Sequence, residues 1–204
     1  AVGSLTKIQS PSLHISDYWR RSVYCAVVAR TICKEGRFGS PERLFVAGLL
    51  HDTGTLVFAY RQPDLYTELL TEAVANGRSF AAIQQQHLGF TYADIGLALL
   101  ESWQLPDGIT NPIRYHLGGL DDAPEPVRTD AAILHVGSVI ARAAMWRSDT
   151  DEPVPEFDVT ALEITDLDTE RTEEIMQQVD EAVIEAMSLL LPNTAATGAR
   201  QSAA

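Results

Sequence analysis

The sequence predicts an all-α protein, a single globular multi-helix bundle without significant β-sheet, on three observations. Apolar residues recur three and four positions apart along nearly the whole chain. Short alternating apolar and polar runs, the mark of half-buried strands, are scarce. Cap and breaker residues, with Ser, Thr or Pro before apolar stretches and Gly after them, cut the chain into pieces of helical length.

Ser16 is the expected N-cap of a first helix running through Trp19, Val23, Val27 and Ile32 to a break at Gly36 and Gly39. Ser40-Pro41 pairs an N-cap with a first-turn proline, and Leu44 to Leu50 is apolar on every side, as expected of a helix buried all round. His51-Asp52-Thr53-Gly54 ends that helix, with Gly54 supplying the stop. Pro63 opens a helix that stops near Asn76-Gly77. Ser79 caps a shorter one, and Thr91 to Asp94 has the form of a capping box ahead of Ile95, Leu99 and Leu100. Residues 106–117 read as a helix begun by proline and closed by Gly118-Gly119. Residues 120–128 read as a loop, and from Thr129 a long helix carries Ile133, Leu134, Val136, Val139, Ile140 and Met145. The last helix, roughly Thr169 to Leu191, has an apolar stripe of Ile175, Val179, Val183, Ala186 and Leu190. The expected organisation is a lead-in over 1–15, a helical core over 16–148, an acidic segment and final helix over 149–191 packed on that core, and a flexible tail over 192–204.

With 204 residues, 46% hydrophobic and 21% charged, the chain can bury a real core, and disorder is excluded as its general state. No stretch approaches the ~20 apolar residues needed to cross a bilayer, and the start AVGSLTKIQS lacks the pattern of a signal peptide. A cytoplasmic protein without a membrane partner is the expectation. Cys25 and Cys33 lie eight apart on one helix, about 12 Å of rise, which is beyond disulfide reach and fits buried thiols in a reducing compartment. The formal net charge is -13, yet residues 1–148 hold 14 acidic against 13 basic side chains, whereas residues 149–185 hold 14 acidic ones against Arg171 alone. That run reads as a solvated face or a partner-reading surface, and the overall balance argues against a nucleic-acid partner.

The feature that bears most on chemistry is His51-Asp52, two polar residues at the end of an apolar helix and a potential metal-ligand pair. Adjacent helical positions point about 100° apart, so both can serve one ion only where the helix ends. His116 and His135 are candidates for a rearranged second site, since neutral imidazole is a common metal ligand, although capping for His116 and core hydrogen bonding for His135 are the simpler roles. Arg20, Arg21 and Arg114 are candidates for an anion pocket suited to a phosphate or cyclic nucleotide. Trp19, Trp103 and Trp146 read as core or interface anchors. His14 and His87 sit in exposed or helix-end contexts without a constellation. No glycine-rich phosphate loop, nucleophile elbow or paired-carboxylate set is present.

The window Leu44-Phe45-Val46-Ala47-Gly48-Leu49-Leu50-His51-Asp52-Thr53-Gly54 resembles the central motif of HD-type proteins, and in particular of HDOD domains, the HD-related output domains of bacterial signalling. Four further windows agree in order and spacing: Tyr18 to Ser22, Leu88 to Gly96, Trp103-Gln104-Leu105-Pro106, and Ile113-Arg114-Tyr115-His116. Together they span residues 18 to about 145. The resemblance implies an all-helical HD-like fold and a role in signal transduction. It also implies comparison with HD hydrolases, which hold a divalent metal with a His, the His-Asp pair and a later Asp. By register the first of these falls at Arg21 and the last near Ser138, and neither can ligate as required. Tyr92 and Leu117 fall where histidine is common in the family.

The expectation is therefore a degenerate HD site of His51, Asp52, Arg21 and Ser138, with no catalytic set, no metal and no cofactor, and with the Arg21 guanidinium pairing with Asp52 in place of a cation. The expected function is a non-catalytic signalling output or regulatory module that recognises a protein or ligand. Its expected partners are proteins of a signalling pathway, an upstream receiver domain among them, or a second copy in a homodimer. Alternatives are a metal-dependent phosphohydrolase with a rearranged site, a cyclic-nucleotide sensor that binds through Arg20, Arg21 and Arg114, and an oligomerisation scaffold. Full HDOD domains begin with a further helical stretch before the Trp19 window, so the resemblance also implies that these residues are a fragment or truncation, with an apolar face near residues 1–30 made to be covered.

Overall fold

A computed structural model describes residues 13–146 and 153–190, apart from the side chains of Thr169 and Leu190. The tail over 192–204, Leu191 and most of the lead-in lie outside the described residues. The elements are all helices: α1 (Ile15–Glu35), α2 (Pro41–Leu50), α3 (Thr53–Arg61), α4 (Pro63–Asn76), α5 (Phe80–Leu88), α6 (Tyr92–Ser102), α7 (Asp107–Tyr115), a 3-10 turn (Leu120–Asp122), α8 (Glu125–Met145), α9 (Val159–Thr165) and α10 (Thr169–Leu190). Among the described residues the architecture is all-α.

Two apolar clusters organise it. The larger joins α1, α2, α8 and α10 through Val23, Val27, Ile32, Leu44, Ile133, Ile140, Ile175 and Val179. The smaller joins α3, α4, α5 and α6 through Leu56, Phe58, Tyr66, Leu69, Phe80, Ile83 and Tyr92. Helix α10 lies on α1, where Tyr24 donates its hydroxyl proton toward the Met176 carbonyl (3.2 Å) and Asp180 (3.0 Å). The acidic face of α10 points outward, with Glu173, Glu174, Asp180, Glu181 and Glu185 exposed.

Most helix starts follow the predicted caps. Ser40 accepts from the Arg43 N–H and Ser79 from the Ala82 N–H, while Thr91 and Asp94 form a capping box. Five readings need correction. His14, not Ser16, is the N-cap of α1, two residues of helix being gained at its start. Gly54 does not stop a helix; it lies inside α3, because α2 and α3 are separated only by the two-residue turn at His51-Asp52. A Cβ on Gly54 would sit 1.8 Å from the Tyr92 carbonyl oxygen, so this glycine is where α3 and α6 touch backbone to backbone. Helix α2 is not buried all round: Leu44, Ala47 and Gly48 face α1, while Phe45, Leu49 and Leu50 are half-buried and Val46 is exposed. Gly48 sets that approach, since a Cβ there would lie 2.5 Å from Ala26 Cα.

Helix α8 starts at Glu125, four residues before Thr129, because Pro126 occupies its first turn, where a missing N–H costs nothing. The acidic segment also contains α9, capped by the Asp158 carboxylate accepting from the Thr160 N–H. Trp103 and Trp146 are both about half exposed and anchor no core here. Cys25 and Cys33 are buried and free, and burial pushes both thiols up from their ordinary titration range. No described helix is long and apolar enough to cross a membrane.

Candidate functional site

The turn between α2 and α3 puts two polar side chains under the surface: His51 is 3% exposed and Asp52 2%. Local bonds fix both. The Thr53 hydroxyl donates to the Leu50 carbonyl at 2.7 Å, and the Thr55 hydroxyl donates to Asp52 Oδ1. His51 donates from Nδ1 to the Gly48 carbonyl at 2.7 Å. A carbonyl only accepts, so this ring is the Nδ1–H tautomer.

Three other elements close around the turn. From α1, Arg21 places Nη2 3.8 Å from Asp52 Oδ2, an ion pair longer than a hydrogen bond. At the end of α7, His116 donates from Nδ1 to the Ile113 carbonyl at 2.7 Å and packs edge-on against His51, with ring centroids 5.4 Å apart. Its Nε2 is buried without a partner. From the middle of α8, His135 donates from Nδ1 to the His116 carbonyl at 2.8 Å, and its Nε2 accepts the Asp158 N–H at 2.9 Å. Both ring nitrogens of His135 are thus committed in the neutral form. One turn on, the Ser138 hydroxyl donates to the His135 carbonyl.

Burial lowers the pKa of all three imidazoles. For His51 the Asp52 charge opposes part of that shift. His116 is held well below the usual histidine range by its complete burial and the adjacent His51. For His135 the bond to the His116 carbonyl and the Asp158 charge act against the burial. Burial likewise pushes up the Tyr18 hydroxyl, which the Asp52 charge reinforces.

The residues present do not fit the divalent metal of an HD hydrolase. The carboxylate of the pair is accompanied by a guanidinium, the lone pair of His135 Nε2 is occupied by a backbone N–H, and the Ser138 hydroxyl donates to the His135 carbonyl. Among the described residues no group of three or more His, Cys, Asp or Glu could hold a metal ion. A metal centre normally takes about three or more protein ligands.

The structure thus gathers His51, Asp52, Arg21, His116, His135 and Ser138 in one region. It distributes the arginines differently from an anion pocket. Arg114 pairs with Glu101 across an exposed 2.8 Å bridge, Arg21 faces Asp52, and Arg20 is exposed. His87 likewise pairs with Glu72 on the surface.

Two contributors escaped sequence reading. Arg142, two turns beyond His135 on α8, donates to the Tyr92 hydroxyl at 3.1 Å and lies 5.8 Å over the Tyr92 ring. Its charge helps hold down the His51 and His116 pKa values. The other is the Arg43–Asp130 pair, joining α2 to α8. A lone aspartate at the edge of the apolar run 131–141 was the available signal for it.

A helical bundle with a buried His-Asp pair in the break between two core helices defines an HD-type domain. The sequence profile of the HDOD domain matches residues 1–118, more than half of the chain, and the protein belongs to the HDOD domain family. The crystal structure of an HDOD domain protein from Geobacter sulfurreducens superposes with a TM-score of 0.70 at 20% identity, covering 90% of this chain and 64% of that one. The MmoQ response regulator from Methylococcus capsulatus superposes at 0.57 with 19% identity, covering 81% of this chain and 62% of its own. An uncharacterized protein of Treponema pallidum (strain Nichols) is 31% identical over 126 residues, 61% of this chain and 24% of that protein. The chain therefore spans less than two thirds of the length of these relatives.

Proposed function

We propose that this HDOD domain is a non-catalytic signal-transduction module that works by recognising a protein partner through its helical surface. The observation that supports this reading is the Arg21 guanidinium beside Asp52, with His135 committed at both ring nitrogens. Hydrolysis of a phosphate ester by an HD centre needs a metal-activated water, and this donor set offers the metal a neutralised carboxylate in place of an open one. The MmoQ relative, a response regulator, supports a signalling context.

The test is elemental analysis of the purified chain after equilibration with Mn2+, run beside hydrolysis of bis(p-nitrophenyl) phosphate. The expected result is no stoichiometric metal and no hydrolysis above the buffer rate. One ion per chain, with turnover that chelation abolishes, would instead establish the phosphohydrolase reading.

A further inference from the structure

Helix α10 is seated on the core by its first half and much less by its second. Ile175 and Val179 are buried in the larger apolar cluster, and Tyr24 of α1 reaches Met176 and Asp180 beside them. Beyond Val179 no described side chain of the helix is buried, and Val183, Ala186 and Met187 are only half covered. The two most exposed large apolar side chains among the described residues stand in this stretch, Ile184 at 70% and Leu189 at 75%. Aliphatics scattered singly over a surface are ordinary. Two on neighbouring turns of one helix are not scattered.

Their surroundings carry one sign of charge. At about 100° per residue the two stand about 140° apart around the helix axis, with Glu181, Glu185 and Ser188 exposed in the arc between them. The helix has no Lys, Arg or His after Arg171, and Arg171 is committed to Glu35 and Glu174. A carboxylate strip alone is a solvated face, and exposed aliphatics alone do not say what covers them. Together they select a partner. A second copy of this face would bring Glu181 and Glu185 against their own counterparts, and like charges across an interface repel. An anionic membrane or a nucleic acid meets the same repulsion. A segment with Lys or Arg along its middle and apolar side chains at its edges meets each group with its complement.

We propose that the outward face of the second half of α10 docks a basic amphipathic protein segment, with Glu181 and Glu185 pairing its cations and Ile184 and Leu189 receiving its apolar side chains. The inference gives the recognition reading above a surface and a partner chemistry, and it rests on that reading. Metal content and hydrolysis test the reading by other signals, so the two failures are distinguishable.

The experiment is a fluorescence-anisotropy titration of a labelled amphipathic Leu/Lys helix peptide with the full chain, beside a scrambled peptide of the same composition and a Leu/Glu peptide of the same pattern. The expected result is saturable binding of the Leu/Lys peptide that weakens with added salt, weaker binding of the scrambled peptide and none of the Leu/Glu peptide. Ile184→Ser with Leu189→Ser should weaken binding by about tenfold or more, because two aliphatic side chains no longer bury area. Glu181→Lys with Glu185→Lys should weaken it by about as much and flatten its salt dependence. Asp121→Lys with Asp122→Lys reverses two exposed acids on the 3-10 turn and should leave binding within about twofold. All six substituted side chains are exposed, so the fold is retained. Equal binding of the scrambled peptide, undiminished binding in either α10 variant, a loss in the 3-10 variant as large as theirs, or self-association in sedimentation that Ile184→Ser abolishes would each overturn the proposal.

Discussion

Among the described residues two buried carboxylates face arginines, and they are held in different ways. Asp130 on α8 is 5% exposed and is hydrogen-bonded directly by Arg43 of α2. Asp52 is 2% exposed and is hydrogen-bonded by Thr55, with Arg21 standing 3.8 Å away. Both guanidiniums keep Nε buried without a partner, and Cβ atoms at Gly39 and Gly108 would meet the Arg43 side chain at 3.1 Å and 3.0 Å. Arg21 is the less exposed of the two side chains, at 23% against 37% for Arg43, yet it makes no direct hydrogen bond to its carboxylate. The first pair is a clamp between core helices. The second is a charge standing beside a carboxylate that a hydroxyl already bonds.

Acid should separate the two regions most strongly. His51, His116 and His135 all have folded pKa values below the reference 6.5. The unfolded chain therefore binds more protons as pH falls below about 6.5, and the stability these groups contribute is present above that value and lost on acidification. Asp130 has the opposite sign. Burial raises its pKa above the reference 3.8, partly offset by Arg43, so its contribution is greatest below 3.8 and is lost as pH rises through the folded value. Denaturant melts at pH 7 and pH 5.5 should show a clear loss of stability. Amide exchange should quicken first where α7, α8 and α9 meet around His116 and His135. Equal stability at the two pH values would contradict the neutral-histidine assignment.

Removing each carboxylate sharpens the comparison at neutral pH. Asp130→Ala removes the acceptor of a direct, charge-assisted hydrogen bond from Arg43 and should cost about 3 kcal/mol, at the low end for breaking a buried pair. Asp52→Ala should cost about 2 kcal/mol, since the Thr55 hydroxyl loses one bond while Arg21, 3.8 Å away, loses an ion pair without a direct hydrogen bond. Urea unfolding of both variants measures the difference; equal losses, or none for Asp52→Ala, would break the distinction. At the surface, Arg114→Ala should change stability by no more than about 0.5 kcal/mol, because an exposed pair is screened by water and salt. A larger loss by the same measurement would mean that Arg114 does more than face Glu101.

The same contrast marks what could be read in the sequence. The region around Asp52 was legible because its information is local: an apolar helix ends at a His-Asp pair, with four further windows in register. Caps at Ser40, Ser79 and Thr91 were legible for the same reason. The Arg43–Asp130 clamp spans 87 positions and has no motif, so only the tertiary fold brings it together. Gly54 misled because a glycine after a polar turn resembles a helix stop, whereas its missing side chain serves contact with α6. Arg142 and Tyr92 lie 50 positions apart and meet only once α6 and α8 are in place.

The central claim is that the Arg21 guanidinium supplies the charge that balances Asp52. A double-mutant cycle with Arg21→Ala, Asp52→Ala and the double variant, followed by urea unfolding at pH 7, separates that coupling from the loss of the Thr55 bond, which both aspartate variants share. The two losses should overlap, with an interaction energy of about 1 kcal/mol. Losses that simply add, within about 0.3–0.5 kcal/mol, would show that the arginine and the aspartate are neighbours without being partners.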